Sequence, residues 1–214
     1  MLELQKAAAR QPCLRASELY VTGAYEHWQS PFKTHLINDR QMAQLADTRT
    51  PPGILAVVPM PDSPPGPEPG EKAIYLHEAQ DPGNLGTILR TLAWFGGFRC
   101  LLSPGSVDPY NPKVVRASMG ALFHVPLETE VTLVSLTGRY QSLACLDLNG
   151  HSLTSEAFSE HDCYLFGNEA RGVPRDALAQ LQAAPYTIHG RGQIDSLNLA
   201  SAVNMCTYEL MRGE

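Results

Sequence analysis

The sequence predicts an α/β domain on a mainly parallel sheet, preceded by a smaller α/β module. Three observations carry this. From residue 73 onward, short apolar runs alternate with segments of helical period, the pattern of parallel strands joined by crossover helices. Before them, "PMPDSPPGPEPGEK" (59–72) packs six prolines and two glycines into fourteen residues, which excludes helix or sheet interior and reads as a semi-stiff spacer. Finally, 214 residues that are 43% hydrophobic and 18% charged suffice for one sizeable core and a small companion.

Ahead of the spacer, "ELYVT" (18–22), "THLIN" (34–38) and "GILAVV" (53–58) read as short strands, and "DRQMAQLAD" (39–47) as a helix entered through Asn38 or Asp39. A module spanning 1–58 is marginal as an independent core, so it is expected to lean on the second domain or on a partner chain. After the spacer, the domain 73–214 offers strands at "AIYLH", "FRCLL", "LFHVPL", "SLACLDL", "CYLFG" and "YTIH". Helices are expected at "NLGTILRTLAWFG", "NPKVVRASMGAL", "PRDALAQLQAA" and "LNLASAVNMCTYELM".

Ligands of such sheets bind beyond the carboxyl ends of the strands, and three strand ends are unusual here. In "DPGNLGTILRTLAWFG" (81–96), Leu85, Ile88, Leu89 and Leu92 form one apolar stripe at the helical period. Asn84 reads as the N-cap, and Arg90 lies about 140° from Leu85 on the face of Thr87, Thr91 and Trp94, outside the core. An ordinary cap with a surface arginine accounts for this. So does an anion site at a helix start with an arginine able to grip phosphate.

The second end, "CYLFGNEARGVPRDAL", runs a buried strand into Gly167, Asn168 and Glu169 before Pro174 opens a helix at a position where its missing N–H costs nothing. Glu169 fits either a carboxylate complementing a helix dipole or a functional acid. The third, "YTIHGRGQIDSLNLASAVNMCTYEL", places Ser196 as the natural N-cap of the last helix. That puts Asn198 in the first turn, where asparagine is a mediocre helix former. His189 reads as a polar surface histidine. "GRGQID" lacks the third glycine of a dinucleotide fingerprint, which disfavours a nicotinamide-dependent oxidoreductase.

Composition narrows the classes further. No run approaches the ~18–20 apolar residues of a membrane span, and "MLELQKAAARQPC" lacks the basic, apolar and small-residue regions of a signal peptide. Five cysteines, odd in number, scattered and without a C-x-x-C pair, disfavour a disulfide framework or a zinc site. A cytoplasmic protein with no metal and no membrane partner is expected. Net charge is −6, yet residues 1–58 carry six basic groups against five acidic ones. This leaves room for a local basic cleft but argues against a non-specific coat of nucleic acid.

Together the three segments resemble the signature motifs of the SpoU/TrmH family of RNA ribose 2′-O-methyltransferases, in the SPOUT superfamily. "NLGTILRTLAWFG" looks like the first motif, "LFGNEARGVP" like the second and "IHGRGQIDSLNLASAVNMCTYE" like the third, in the family's order over roughly residues 73 to 210. The N-terminal module resembles, more loosely, a shortened ribosomal-protein L30e-like substrate-binding domain. The resemblance implies a C-terminal trefoil knot, S-adenosylmethionine bound in it, a homodimer, and an rRNA or tRNA substrate, with rRNA weakly favoured.

By position the resemblance implies catalytic roles for Asn84, Arg90, Glu169, Ser196 and Asn198, and cofactor contacts through the backbone at Gly167, Ile188 and Leu197. Arg90 would meet the 2′-hydroxyl, as its base or as a clamp on charge. Lys113, Arg116, Arg171 and Arg175, with Arg90, are the candidates to grip RNA. One departure stands out: His189-Gly190 follow Ile188 where the family commonly has Pro-Met, which bears on the shape of the cofactor pocket. The competing reading is a catalytically inactive RNA-binding module of the same fold.

Overall fold

The computed structural model describes residues 1–60, 64 and 66–212; part of the expected 59–72 spacer, at 61–63 and 65, lies outside the described residues. The chain divides into two compact units, Met1–Ser63 and Pro64–Glu214.

The first unit begins with a helix that strand–helix alternation does not announce, α1 (Leu2–Arg10), which buries Leu4, Ala7 and Ala8. Strands β1 (Glu18–Val21) and β2 (Lys33–Leu36) follow, then helix α2 (Asp39–Leu45) and strand β3 (Ile54–Val57). β1 is central, parallel to β2 and antiparallel to β3. Asn38 is the cap of α2: its side chain accepts from the Gln41 N–H while the Gln41 side chain accepts from the Asn38 N–H, a reciprocal capping box.

The second unit runs β4 (Lys72–Leu76), α3 (Pro82–Phe95), β5 (Phe98–Leu102), α4 (Pro112–Ala117), β6 (Leu127–Glu128), α5 (Leu133–Leu136), β7 (Leu143–Ser152), β8 (Cys163–Phe166), α6 (Arg175–Leu181), β9 (Ala184–Thr187) and α7 (Leu199–Leu210). Six strands pair in the order β6-β5-β4-β8-β7-β9, every pair parallel. β4, β5 and β8 are buried almost throughout, as expected of strands covered on both faces. One apolar cluster joins Leu85, Ile88, Leu89 and Leu92 of α3 to Ile74, Leu76, Val203 and Cys206; a second holds Tyr75, Leu101, Leu165 and Leu181.

Three local expectations are corrected. Of "LFHVPL" (122–127) only Leu127 enters a strand, the two-residue β6, because Ala121–Phe123 wind into a 3-10 turn before it. The cap of α3 is Asp81, whose Oδ1 accepts from the Asn84 N–H at 2.7 Å, so Asn84 lies inside the first turn with its side chain released for other partners. The cap of α7 is Asn198 rather than Ser196: Asn198 Oδ1 accepts from the Ser201 N–H. Asparagine is therefore at the one helical position that favours it.

Close approaches are met by glycine. A Cβ on Gly86 would lie 2.4 Å from Ala117 Cβ, so the missing side chain is what lets α3 lie against the end of α4. Cys100, Cys145, Cys163 and Cys206 are free and buried; burial pushes the Cys145 thiol up to about 11 and that of Cys100 to about 12. Such thiols are inert packing groups.

Candidate active site

The strand order reverses beside β4, whose neighbours β5 and β8 belong to different halves of the sequence. The crevice beyond the carboxyl ends of β4 and β8 is therefore the place where such a sheet takes a ligand. β4 delivers the turn into α3 there, and β8 delivers Gly167, Asn168 and Glu169.

Asn84 Nδ2 donates to Glu169 Oε1 at 2.8 Å, and Asn198 Nδ2 donates to Asn84 Oδ1 at 2.9 Å. One amide thus ties the starts of α3 and α7 to the loop after β8. A second polar tie, Thr91 Oγ1 to Asn204 Oδ1 at 2.7 Å, lies further along the same two helices. Since Asn84 meets Asn198 and Thr91 meets Asn204, α3 and α7 run side by side in the same direction, and both N-termini open on the crevice.

The loop after β8 is held by a residue that the sequence reading passed over. Asn168 is 8% exposed; its Oδ1 accepts from the N–H groups of Ala170 and Arg171, and its Nδ2 donates to the Glu78 carbonyl at 2.9 Å. The only sequence signal was an asparagine directly before Glu169 at a strand end. Gly167 is needed for the same fold-back: a Cβ there would lie 2.3 Å from the Gly172 carbonyl carbon and 2.5 Å from the Val173 nitrogen.

Arg90 is exposed on α3, and among the described residues it makes no hydrogen bond or ion pair. Ser196 and Leu197 are exposed in the loop between β9 and α7, and Ile188 is half-buried at its start. Among the described residues, the backbone groups of 188–197 make no hydrogen bond to other backbone, which leaves a row of donors and acceptors at a strand end. His189 is exposed, in keeping with a surface histidine.

The candidate RNA-gripping cations separate. Lys113 and Arg116 are exposed on α4. Arg175 lines a cavity of about 450 Å³ with Asp147, Asn149 and Gln182. Arg171 pairs with the Glu78 carboxylate. Near that pair, burial pushes the His77 imidazole below its ordinary value against the opposing pull of Glu78, and its Nδ1 is buried without a partner. A neutral ring is the form such a site tolerates.

Residues 71–208 match the model of the SpoU rRNA Methylase family. The chain belongs to this family. Among its relatives is an uncharacterized tRNA/rRNA methyltransferase of Synechocystis sp., 32% identical over 185 residues, 84% of this chain and 67% of the relative. The 23S rRNA (guanosine(2553)-2′-O)-methyltransferase RlmP of Bacillus subtilis is 29% identical over 187 residues, 85% and 74% of the two chains. Among solved structures, the AdoMet-bound rRNA methyltransferase from Sinorhizobium meliloti superposes with a TM-score of 0.83 at 25% identity, covering 99% of this chain and 85% of the other. The segments at the ends of β4, β8 and β9 fall within the family match and are the ones joined by Asn84.

Proposed function

We infer that Asn84, Arg90, Glu169, Ser196 and Asn198 form the catalytic site of this SpoU-family protein, an S-adenosylmethionine-dependent methyltransferase acting on a ribose 2′-hydroxyl in rRNA or tRNA. The observation that carries the reading is the hydrogen-bonded chain Glu169–Asn84–Asn198, which draws three distant strand-end segments into one polar crevice.

The residues suit the cofactor. Gly167 leaves the loop after β8 room to fold back, and the unpaired backbone groups of 188–197, with half-buried Ile188 and exposed Leu197, suit a nucleobase read by main chain. His189-Gly190 keep those backbone groups while changing the side chains around them. When bound, S-adenosylmethionine supplies an electrophilic methyl carbon on a sulfonium. The protein's own task is to align the 2′-hydroxyl with it, and such positioning is worth several kcal/mol, on the order of 7 in favourable cases.

Arginine offers five donors in a fixed fork and no acceptor. Arg90 therefore serves as a clamp on the nucleotide's phosphate and on the oxyanion that develops as the 2′-hydroxyl loses its proton. Asn84 and Asn198 hold the crevice in shape through Glu169, and Ser196 offers a hydroxyl to the nucleotide. Lys113, Arg116, Arg171 and Arg175 provide further cations for the RNA backbone. A ribose that must be aligned with the methyl donor at the strand ends is best presented by an unpaired or flipped nucleotide.

The wider arrangement follows the family. Residues 73–214 form the catalytic domain with its C-terminal segment tucked as a trefoil knot, 59–72 is the spacer, and 1–58 is a shortened L30e-like module for cytoplasmic rRNA or tRNA, with rRNA favoured. A homodimer is supported by apolar groups left open on α3 and α7: Trp94 is 84% exposed, Tyr208 60% and Met205 45%. The decisive experiment is transfer of labelled methyl from S-adenosylmethionine to unmodified total RNA, scored as alkali-resistant dinucleotides, with Arg90→Ala alongside. Label that is absent with the variant is the expected result. Cofactor binding with no transfer to any RNA would instead favour an inactive RNA-binding module.

A further inference from the structure

The turn between β4 and α3 holds a residue in a conformation that the methyl transfer does not require. Glu78 has φ +49°, in the left-handed region that side-chain-bearing residues seldom enter. Such strain persists only where the surroundings over-determine it, and three contacts do so. The Glu78 N–H donates to Ser103 Oγ at 2.7 Å, its carbonyl accepts from Asn168 Nδ2 at 2.9 Å, and its carboxylate takes the Arg171 guanidinium.

Arg171 stands two positions after Glu169, in the loop that reaches Asn84. Its side chain is 67% exposed and that of Glu78 32%, so water reaches the pair and a competing anion can displace it. A guanidinium accepts a phosphate through the same fork with which it accepts a carboxylate. We propose that Glu78 occupies, in the free protein, the place of an RNA phosphate on Arg171, and so sets how tightly the crevice takes RNA. The carboxylate acts twice. It neutralises Arg171, and it adds negative charge to a crevice that already holds Asp81 and Glu169. Incoming RNA gains Arg171 only by displacing it, so a poorly matched RNA with no phosphate at that point meets a net repulsive entrance.

This inference rests on the RNA methyltransferase reading, and the test separates the two. Methyl transfer is measured against concentration of an unmodified RNA fraction that the wild type methylates, for wild type, Glu78→Gln, Arg171→Ala and the double variant. S-adenosylmethionine affinity is measured on each as a check of the fold. Glu78→Gln is expected to lower KM for RNA about two- to fivefold, Arg171→Ala to raise it, and Glu78→Gln to have no further effect once Arg171 is gone.

A raised KM or a reduced kcat in Glu78→Gln would overturn the proposal and make Glu78 a structural support of the loop. An equal gain in the Arg171→Ala background would also overturn it, since the carboxylate would then act by general repulsion. If the wild type methylates RNA and Glu78→Gln matches it, the proposal alone fails. If the wild type methylates no RNA, the functional reading fails and takes the proposal with it.

Discussion

Asn84 Nδ2 lies 2.8 Å from Glu169 Oε1 although 85 positions separate the two residues, and the other half of the same amide receives Asn198 Nδ2 at 2.9 Å. The carboxylate can only accept, which assigns the amide nitrogen to Glu169 and the oxygen to Asn198. An isosteric aspartate in place of Asn84 would put like charges in contact, and an alanine there would leave both partners unmatched. Asn84→Ala is expected to lower kcat/KM for methyl transfer about 10- to 100-fold, and Asn84→Asp at least as far. A wild-type rate in Asn84→Asp would remove these hydrogen bonds from the catalytic machinery.

Arg90 projects from α3 without a protein partner among the described residues, so its loss removes no internal support. Arg90→Ala is expected to cut the methyl-transfer rate about 10²- to 10³-fold, with thermal stability and S-adenosylmethionine affinity nearly unchanged. Arg90→Lys keeps the charge and loses the fork, so its rate should fall between the two. Single-turnover transfer with saturating RNA, beside equilibrium dialysis of the cofactor, reads both quantities.

Gly167 faces backbone rather than a flexible side chain. Its added Cβ would meet the Gly172 Cα at 2.4 Å and the Val173 nitrogen at 2.5 Å. Gly167→Ala must therefore push the loop after β8 outward, at a cost of about 1–3 kcal/mol. Urea unfolding should show that loss, and cofactor binding should weaken in the same variant. Unchanged affinity would mean that the cofactor does not depend on this loop.

Arg99 is 3% exposed between Glu71 and Glu128, with Arg139 completing the cluster. Removing the buried cation strands the Glu71 carboxylate and leaves Glu128 to Arg139 alone, so Arg99→Met should destabilise the fold by about 3–5 kcal/mol. Burial pushes the Glu128 carboxyl up, but hydrogen bonds from Arg139 and Arg99 outweigh it and hold the group below its ordinary 4.5. The folded chain thus binds fewer protons there than the unfolded one. Its contribution is present above that ordinary value and lost as pH falls through the lower folded value. Unfolding curves of wild type and Glu128→Gln should differ most above the ordinary carboxylate range and converge as the pH falls below it.

Much of this architecture was legible along the chain because it follows from local periodicity. The stripe Leu85, Ile88, Leu89 and Leu92 marked the buried face of α3, and all four are at most 1% exposed. "FRCLL" matches β5 residue for residue, and alternation from residue 73 gave the parallel sheet. Where periodicity was faint, the reading failed. "LFHVPL" is apolar enough for a strand, but Gly120 with φ +92° precedes a 3-10 turn that consumes its first two residues. Leu2–Arg10, rich in alanine and charge, displays too few apolar residues to announce α1.

The α/β class, the apolar faces and the three strand-end segments with their unusual polar residues can be read along the chain, because periodicity and turn chemistry are local. Caps were within its reach only to the nearest few positions. Asp81 rather than Asn84, and Asn198 rather than Ser196, accept the first-turn N–H groups, and that choice depends on backbone geometry. That Glu169, Asn84 and Asn198 share one hydrogen-bonded chain, and that Arg171 is already taken by Glu78, emerges only in the folded chain. The difference is one of range: periodicity and capping act over a few residues, whereas these contacts are created when β4 and β8 become neighbours in the sheet and α7 lies down beside α3.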